Sequence, residues 1–372
     1  MRKFINQDDM KRNNCLDIFY LIKELKKTTR KEIKEVTNMS VGAISNITTL
    51  LLQKGYIEEK KAAPTKMQGR IPSYLQISSN IITIGVELGA VGIVVEVFNF
   101  KKKSLGKYTD ENSYKSTEEI FEKLFEFLDK VFEEFKNYNI MSIGIGVQGM
   151  VDTKNQISVF MVSVLEGWKN IPVAKMVSER YNTYTYIEHD TECILSDFAE
   201  GGKIETGVLV VVDKGIGMAT ILNGKIVSGK GMWELGHTIA ALDEVPGGEN
   251  NYALEDYVSE MGIVHRYGMK ISEIAKRAEE GEEKAQEMFR FAGKNLGIAI
   301  FNIRQLLNPQ KIIISGRMTK YVHLYKEQLE KYAFRGTSNK EALPEFMFIG
   351  ESQTARGAAM IAAERAIENI EI

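Results

Sequence analysis

Residues 81–91 read Ile81-Ile82-Thr83-Ile84-Gly85-Val86-Glu87-Leu88-Gly89-Ala90-Val91. The first eight are β-branched or apolar almost without interruption, the pattern of a strand buried on both faces. Gly89 breaks the run and residues 91–98 resume it, so the stretch reads as strand, turn, strand. Toward the C-terminus, residues 118–135 have helical spacing. Residues 140–147 form a strand that ends in glycines. Residues 208–212 and 312–314 are further strands, with helices between. Strands alternating with helices predict an α/β architecture beyond about residue 80. No short-period repeat or low-complexity tract is visible.

Upstream the pattern is helical. Leu16, Phe19, Tyr20, Ile22 and Leu25 recur at spacings of three and four. Thr29-Arg30-Lys31-Glu32 has the form of a capping box, starting a helix that carries Ile33 and Val36 inward. Ser40 caps a third helix, on which Val41, Ile44, Ile47 and Leu51 fall near one stripe. Gly42 is expected to let the preceding helix approach. The outward set is Ala43, Ser45, Asn46 and Thr49, short side chains that suit a helix lying against base edges. Gly55 ends the helix. Strands at 56–60 and 74–77 flank a polar turn, which makes a winged helix-turn-helix. Arg30, Ser40, Val41, Ala43, Ser45, Asn46, Thr49, Lys60, Lys61 and Arg70 are the candidate DNA contacts, Arg70 in a minor groove.

Charge divides the same way. The chain of 372 residues has 48 basic and 50 acidic side chains, a net of −2. Residues 1–80 hold 15 basic and 8 acidic, +7; the remainder hold 33 and 42, −9. A basic end on an acidic body suggests a nucleic-acid reader joined to something else. Cys15 and Cys193 are the only cysteines, which excludes a disulfide framework and a cysteine-rich zinc site. No signal peptide or bilayer-length apolar run is present, so the expected location is the cytoplasm.

Several turns carry chemistry. Glu87-Leu88-Gly89-Ala90-Val91 and Gly144-Ile145-Gly146-Val147-Gln148-Gly149 have the look of phosphate-binding turns. Ile187-Glu188-His189-Asp190 ends a strand with a carboxylate. Gly215-Ile216-Gly217 follows another strand. Gly231-Met232-Trp233-Glu234-Leu235-Gly236-His237 sets a carboxylate three residues from an imidazole, and Glu255 follows. Carboxylates and an imidazole framed by glycines suit a polyhydroxylated ligand.

Taken together, the chain resembles the ROK family (repressor, open reading frame, kinase), in its transcriptional-regulator branch of the N-acetylglucosamine and xylose repressor type. The resemblance runs from Lys11-Arg12-Asn13-Asn14 through Gly69-Arg70-Ile71-Pro72, Gly167-Trp168-Lys169-Asn170-Ile171-Pro172, Asn295-Leu296-Gly297-Ile298-Ala299 and Asn308-Pro309 to Gly357-Ala358-Ala359. It implies a winged helix over 1–80 and a two-lobed actin-like sugar-sensing domain over 81–372. Lobe one is about 81–195 plus the C-terminal helix, and lobe two about 196–355. Sugar contacts carry over to Asn170, Asp190, Glu234, His237 and Glu255. His189, which stands where the family usually has Asn, is a further candidate sugar contact. In family kinases the residue matching Asp190 is the general base; here it is expected only to bind sugar.

The departures from the family bear on cofactors. The family kinases' Asp-x-Gly-Gly-Thr turn is Glu87, Leu88, Gly89, Ala90, Val91 here, which loses the hydroxyl. The second phosphate loop begins Asp213-Lys214, and a glycine pair is replaced by Ser315-Gly316. No ATP binding and no kinase activity are expected. The family's zinc cysteines are gone from Pro246-Gly247-Gly248-Glu249-Asn250-Asn251-Tyr252-Ala253, and His237 alone cannot make a tetrahedral site, so no zinc is expected. The resemblance implies a repressor of carbohydrate-utilisation genes. It would bind a palindromic operator as a homodimer or higher oligomer and respond to a sugar in the interlobe cleft, with xylose the leading inducer. The alternatives are a ROK sugar kinase with an appended DNA-binding domain, and a module that has lost both functions.

Overall fold

The computed structural model describes residues 7–61, 73–161, 165, 167–199, 204–227, 233–240, 253–336, 343–350 and 353–370. Residues 1–190 and 354–372 make one compact unit, and 191–353 a second.

The first unit opens with helices α1 (Gln7–Leu25), α2 (Arg30–Thr37) and α3 (Val41–Gln53), followed by the antiparallel hairpin β1 (Ile57–Lys61) and β2 (Ser73–Ile77). The capping box forms: Thr29 Oγ1 accepts from Glu32 N, and Glu32 Oε2 accepts from Thr29 N at 2.7 Å. That bond and those from the Thr28 and Thr29 hydroxyls hold the Glu32 carboxyl below its usual range. Ser40 Oγ accepts from Ala43 N at 3.2 Å and starts α3. Two sequence expectations fail here. Val36 and Val41 are 61% and 64% exposed; the buried residues are Ile33 on α2 and Ile44, Ile47, Thr48 and Leu51 on α3. A Cβ on Gly42 would meet nothing within 4 Å among the described residues, so this glycine serves no close approach there.

The rest of the unit is a five-stranded sheet ordered β5-β4-β3-β6-β9: β3 (Ile81–Leu88), β4 (Val91–Asn99), β5 (Ser104–Ser113), β6 (Asn139–Val147) and β9 (Thr185–His189). A hairpin of β7 (Gly149–Asp152) and β8 (Ile157–Met161) intervenes between β6 and β9. The polar edge strand β5 and this hairpin were not anticipated. One sheet face packs on α4 (Thr117–Glu134) and α5 (Val173–Tyr181) through Ile120, Leu124, Leu128, Val131 and Val177. The other carries the C-terminal helix α12 (Thr354–Glu368). Thr83 faces Ser142, and Gly85 faces Gly144, as paired residues of β3 and β6. Thr83 Oγ1 donates to Ala359 O, and a Cβ on Gly85 or Gly144 would fall 1.8 Å from the carbonyl oxygen of Ala355 or Ala358. The helix therefore rests on bare backbone.

The far half of α12 enters a second cluster. Ala363, Ala366 and Ile367 join Ile18, Phe19, Ile22, Ile33, Ile44, Leu51, Phe100 and Met141. The winged helix thus shares its core with the sheet domain. Cys15 lies in this cluster, and burial pushes its thiol up to about 11.

The second unit repeats the strand order. Helix α6 (Asp190–Ala199) leads in, and the sheet runs β12-β11-β10-β13-β14: β10 (Thr206–Val212), β11 (Ile216–Leu222), β12 (Lys225–Ile226), β13 (Lys311–Ser315) and β14 (Glu345–Ile349). In each sheet three antiparallel strands are followed by two parallel additions, the same pairing twice in one chain. Helices α7 (Leu254–Val258), α8 (Glu260–Tyr267), α9 (Ile271–Glu279), α10 (Glu283–Leu307) and α11 (Val322–Ala333) complete the unit around Leu254, Ile274, Phe289, Leu296 and Ile314. No helix among the described residues is long and apolar enough to cross a membrane.

Candidate functional site

Three groups of residues carry chemistry. The first is the outward face of α3. Ser45, Asn46 and Thr49 are exposed, Ala43 is half-buried, and Val41 stands clear at the first turn. No residue from Val41 to Gln53 is charged. The cations beside it are partly committed. Arg30 Nε donates to the buried Thr48 Oγ1 at 3.0 Å, and its Nη1 lies 3.0 Å from Glu59 Oε1, which also accepts from Ser73 Oγ at 2.6 Å. Arg30 is thus a brace joining α2, α3 and the hairpin. Lys60 Nζ lies 2.9 Å from Glu58 Oε1. Burial raises the Glu58 carboxyl, but Lys60 and Gln76 outweigh it and the net shift is downward. Lys61 is exposed at the end of β1, and Arg70 lies outside the described residues.

The second group closes β9. His189 is 1% exposed, and its Nδ1 lies 3.0 Å from Gly149 O. A carbonyl can only accept, so Nδ1 carries the proton. In the neutral ring Nε2 is then an acceptor, buried and without a hydrogen-bond partner among the described residues. Asp190, half-buried, is the first residue of α6. Asn170, exposed at φ +53°, sits on the turn before α5, and its backbone N–H donates to Val159 O.

The third group lies in the second unit. His237 is bracketed: Nδ1 is 3.3 Å from Glu234 Oε2, and Nε2 is 3.2 Å from Glu255 Oε1. Glycines frame the cluster, since a Cβ on Gly236 or Gly215 would fall 3.1 or 3.3 Å from Glu255 Oε2. The expected trio of Glu234, His237 and Glu255 is therefore brought together, with side chains a third to two-thirds exposed. The stretch 246–252, expected to lack zinc ligands, lies outside the described residues.

Sequence reasoning missed what Asp213 does. Its Oδ1 accepts from Lys214 N at 2.8 Å, its Oδ2 accepts from Arg317 N at 3.2 Å, and Arg317 Nε lies 3.4 Å from Oδ1. Burial, and then the Arg317 cation, hold the Lys214 ammonium below its ordinary value. The side chain of Val91 lies outside what is described, while Ser315 Oγ is fully buried with no partner among the described residues.

Comparison with known proteins agrees with this architecture. The xylose repressor of Caldicellulosiruptor bescii is 26% identical over 355 residues, covering 88% of each chain. The crystal structure of a ROK family transcriptional regulator, a homologue of the Escherichia coli MLC protein, superposes with a TM-score of 0.79 at 20% identity, over 96% of this chain and 97% of that one. A ROK family glucokinase from Streptomyces griseus, in complex with glucose and AMPPNP, superposes with a TM-score of 0.60 at 18% identity, over 75% of this chain and 98% of its own. These two structural likenesses are likenesses of fold. The ROK family model itself matches residues 83–365, well over half of the chain, and the protein therefore belongs to the ROK family.

Proposed function

We propose that the protein is a sugar-responsive, DNA-binding transcriptional repressor of carbohydrate-utilisation genes, acting as a homodimer on a palindromic operator. The observation that carries this reading is the face of α3: exposed, uncharged, short-chained and capped by Ser40 within a +7 segment. Such a helix fits the major groove, with Ser45, Asn46 and Thr49 at base edges and Val41 against a thymine methyl. Two-fold protein symmetry matches a palindrome.

Acceptors for a sugar's hydroxyl hydrogens are Asp190 in the first unit and, in the second, Glu234 and Glu255 with His237. The buried Nε2 of His189 adds one more. D-Xylose is the first ligand to try, in line with the Caldicellulosiruptor relative.

The likeness to a glucokinase favours a second reading, a sugar kinase with a DNA-binding domain attached. Against it stands Asp213. Its carboxylate already occupies the backbone N–H of Arg317 and lies against the Arg317 guanidinium, so an incoming phosphate would meet a negative charge where it needs donors.

The test is a gel shift with the protein's own upstream DNA, run with a panel of pentoses, hexoses and their phosphates. A retarded band released by one sugar supports the proposal. No band with any upstream fragment, or ATP-dependent phosphorylation of a panel sugar by the purified protein, overturns it.

The wing offers a graded check. Lys61→Ala lowers the slope of log affinity against log salt by about one unit, the value for one lost phosphate contact. Lys60→Ala lowers it by less, because Glu58 already neutralises that ammonium. Equal effects, or none, would place the hairpin away from the DNA backbone.

A further inference from the structure

Strand β6 has the recognition helix at one end and the His189 segment at the other. At its start, Asn139 Nδ2 donates to Lys54 O at 2.7 Å, the carbonyl at the C-terminal end of α3. Gly55 follows with φ +70°, and a Cβ there would fall 2.8 Å from the same Asn139 nitrogen. The amide of Asn139 thus fills the space that a side chain at position 55 would take. Its backbone is pinned as well: Asn139 N donates to Asn80 O at 2.8 Å, and Asn80 Nδ2 donates to Asn137 O at 2.8 Å.

Two residues along, the register of β3 against β6 shifts. Ile82 pairs with Ile140 and Thr83 with Ser142, which leaves Met141 as the extra residue of a bulge. Bulges redirect side chains. Met141 is 3% exposed and lies in the cluster that holds Ile44, Ile47 and Leu51 of α3, while Ile143, Ile145 and Val147 lie in the core of the sheet domain.

At the far end, Val147 pairs with His189, and Gly149 O accepts from His189 Nδ1 at 3.0 Å. The nine residues of β6, from Asn139 to Val147, span about 26 Å at roughly 3.3 Å per residue. The strand pairs with β3 along its whole length and with β9 from Ile143 to Val147, which makes it stiffer than a loop. A displacement at the His189 end is therefore passed along it, where a loop would absorb it.

We propose that Asn139 is the positioning residue through which the state of the His189–Asp190 segment reaches the recognition helix: β6 is the strut, and the Asn139–Lys54 hydrogen bond is its point of attachment. This rests on the reading of α3 as the DNA reader and of His189–Asp190 as sugar-binding. It supplies the step between them that neither reading contains.

The test needs neither sugar nor DNA, so its failure is separate from failure of the gel shift. Amide hydrogen exchange across Lys54–Tyr56 is measured in the full-length protein for wild type, His189→Leu, Asn139→Asp and the double variant. Asn139→Asp keeps the shape but removes the donor. His189→Leu fills the buried volume but removes the Nδ1–H, and His189→Gln replaces it if the Leu variant does not fold. The expected result is that the His189 variant changes exchange at Lys54–Tyr56 by about five-fold, the scale of one net hydrogen bond. In the Asn139→Asp background it adds nothing. His189→Asn, which restores a donor near Nδ1, returns exchange to the wild-type rate. A merely structural Asn139 would change exchange on its own, and the two substitutions would be additive. Additivity, or no response at Lys54–Tyr56 to any change at His189, overturns the proposal.

Discussion

Gly144→Val is expected to lower the melting temperature sharply. The residue lies in β6 directly beneath α12, and any Cβ there would fall 1.8 Å from Ala358 O and 2.8 Å from Ala359 N. These are backbone atoms of a helix, so no rotamer change relieves the clash. The helix must lift, breaking the bond from Thr83 to Ala359 O and separating the cluster in which α12 meets the winged helix. Overpacking alone costs about 1–3 kcal/mol, and more where backbone must move, against a total stability on the order of 5–15 kcal/mol. A loss of about 3 kcal/mol lowers Tm by roughly 6–12 °C in a domain of this size. Gly42→Ala is the control: its Cβ meets nothing within 4 Å among the described residues, so Tm holds or rises slightly. A Gly144→Val protein that melts with the wild type would mean that α12 does not lie on this sheet.

Asp190→Ala is expected to bind operator DNA as the wild type does and to lose release by sugar. A carboxylate that accepts hydroxyl hydrogens contributes about 1.5–3 kcal/mol per charged hydrogen bond, so sugar affinity falls by roughly ten- to a hundred-fold. A switch needs the ligand to prefer one state by several kcal/mol for near-complete release, and that preference disappears with the contact. Asp190→Asn keeps the shape but exchanges an acceptor for a donor, and fails nearly as badly. Titration calorimetry with the sugar that releases DNA in the gel shift, alongside operator binding, gives both numbers. Release at the wild-type sugar concentration would remove Asp190 from the site.

Legibility followed the range of the physics. The capping box of Thr29 and Glu32 and the Ser40 cap span three residues each, so local spacing was enough to find them. Strand β3 was equally plain, because a strand covered on both faces has to be apolar throughout. Val36 and Val41 misled for the opposite reason. An apolar residue on a helical stripe is buried only if something lies over it, and the described residues leave both of these largely exposed. Strand β5, with the sequence SLGKYTDENS, is a mostly exposed edge, so its composition resembles a loop. The repeated strand order of the two sheets left no trace in the sequence, since topology is set by which distant segments pair.

By itself, the sequence determined the charge division near residue 80, the α/β pattern beyond it, and the caps formed by Thr29 with Glu32 and by Ser40. All of these depend on residue type and short spacing. Only the tertiary structure decided where the charges and donors end up. Asp213 meets Arg317 across 104 residues, Arg30 turns to Glu59 instead of remaining free, Glu255 reaches His237, and Asn139 caps a helix 85 residues upstream. A polar side chain bonds to whatever the fold brings within about 3 Å of it. That neighbour is chosen by the packing of the cores, which no local pattern encodes.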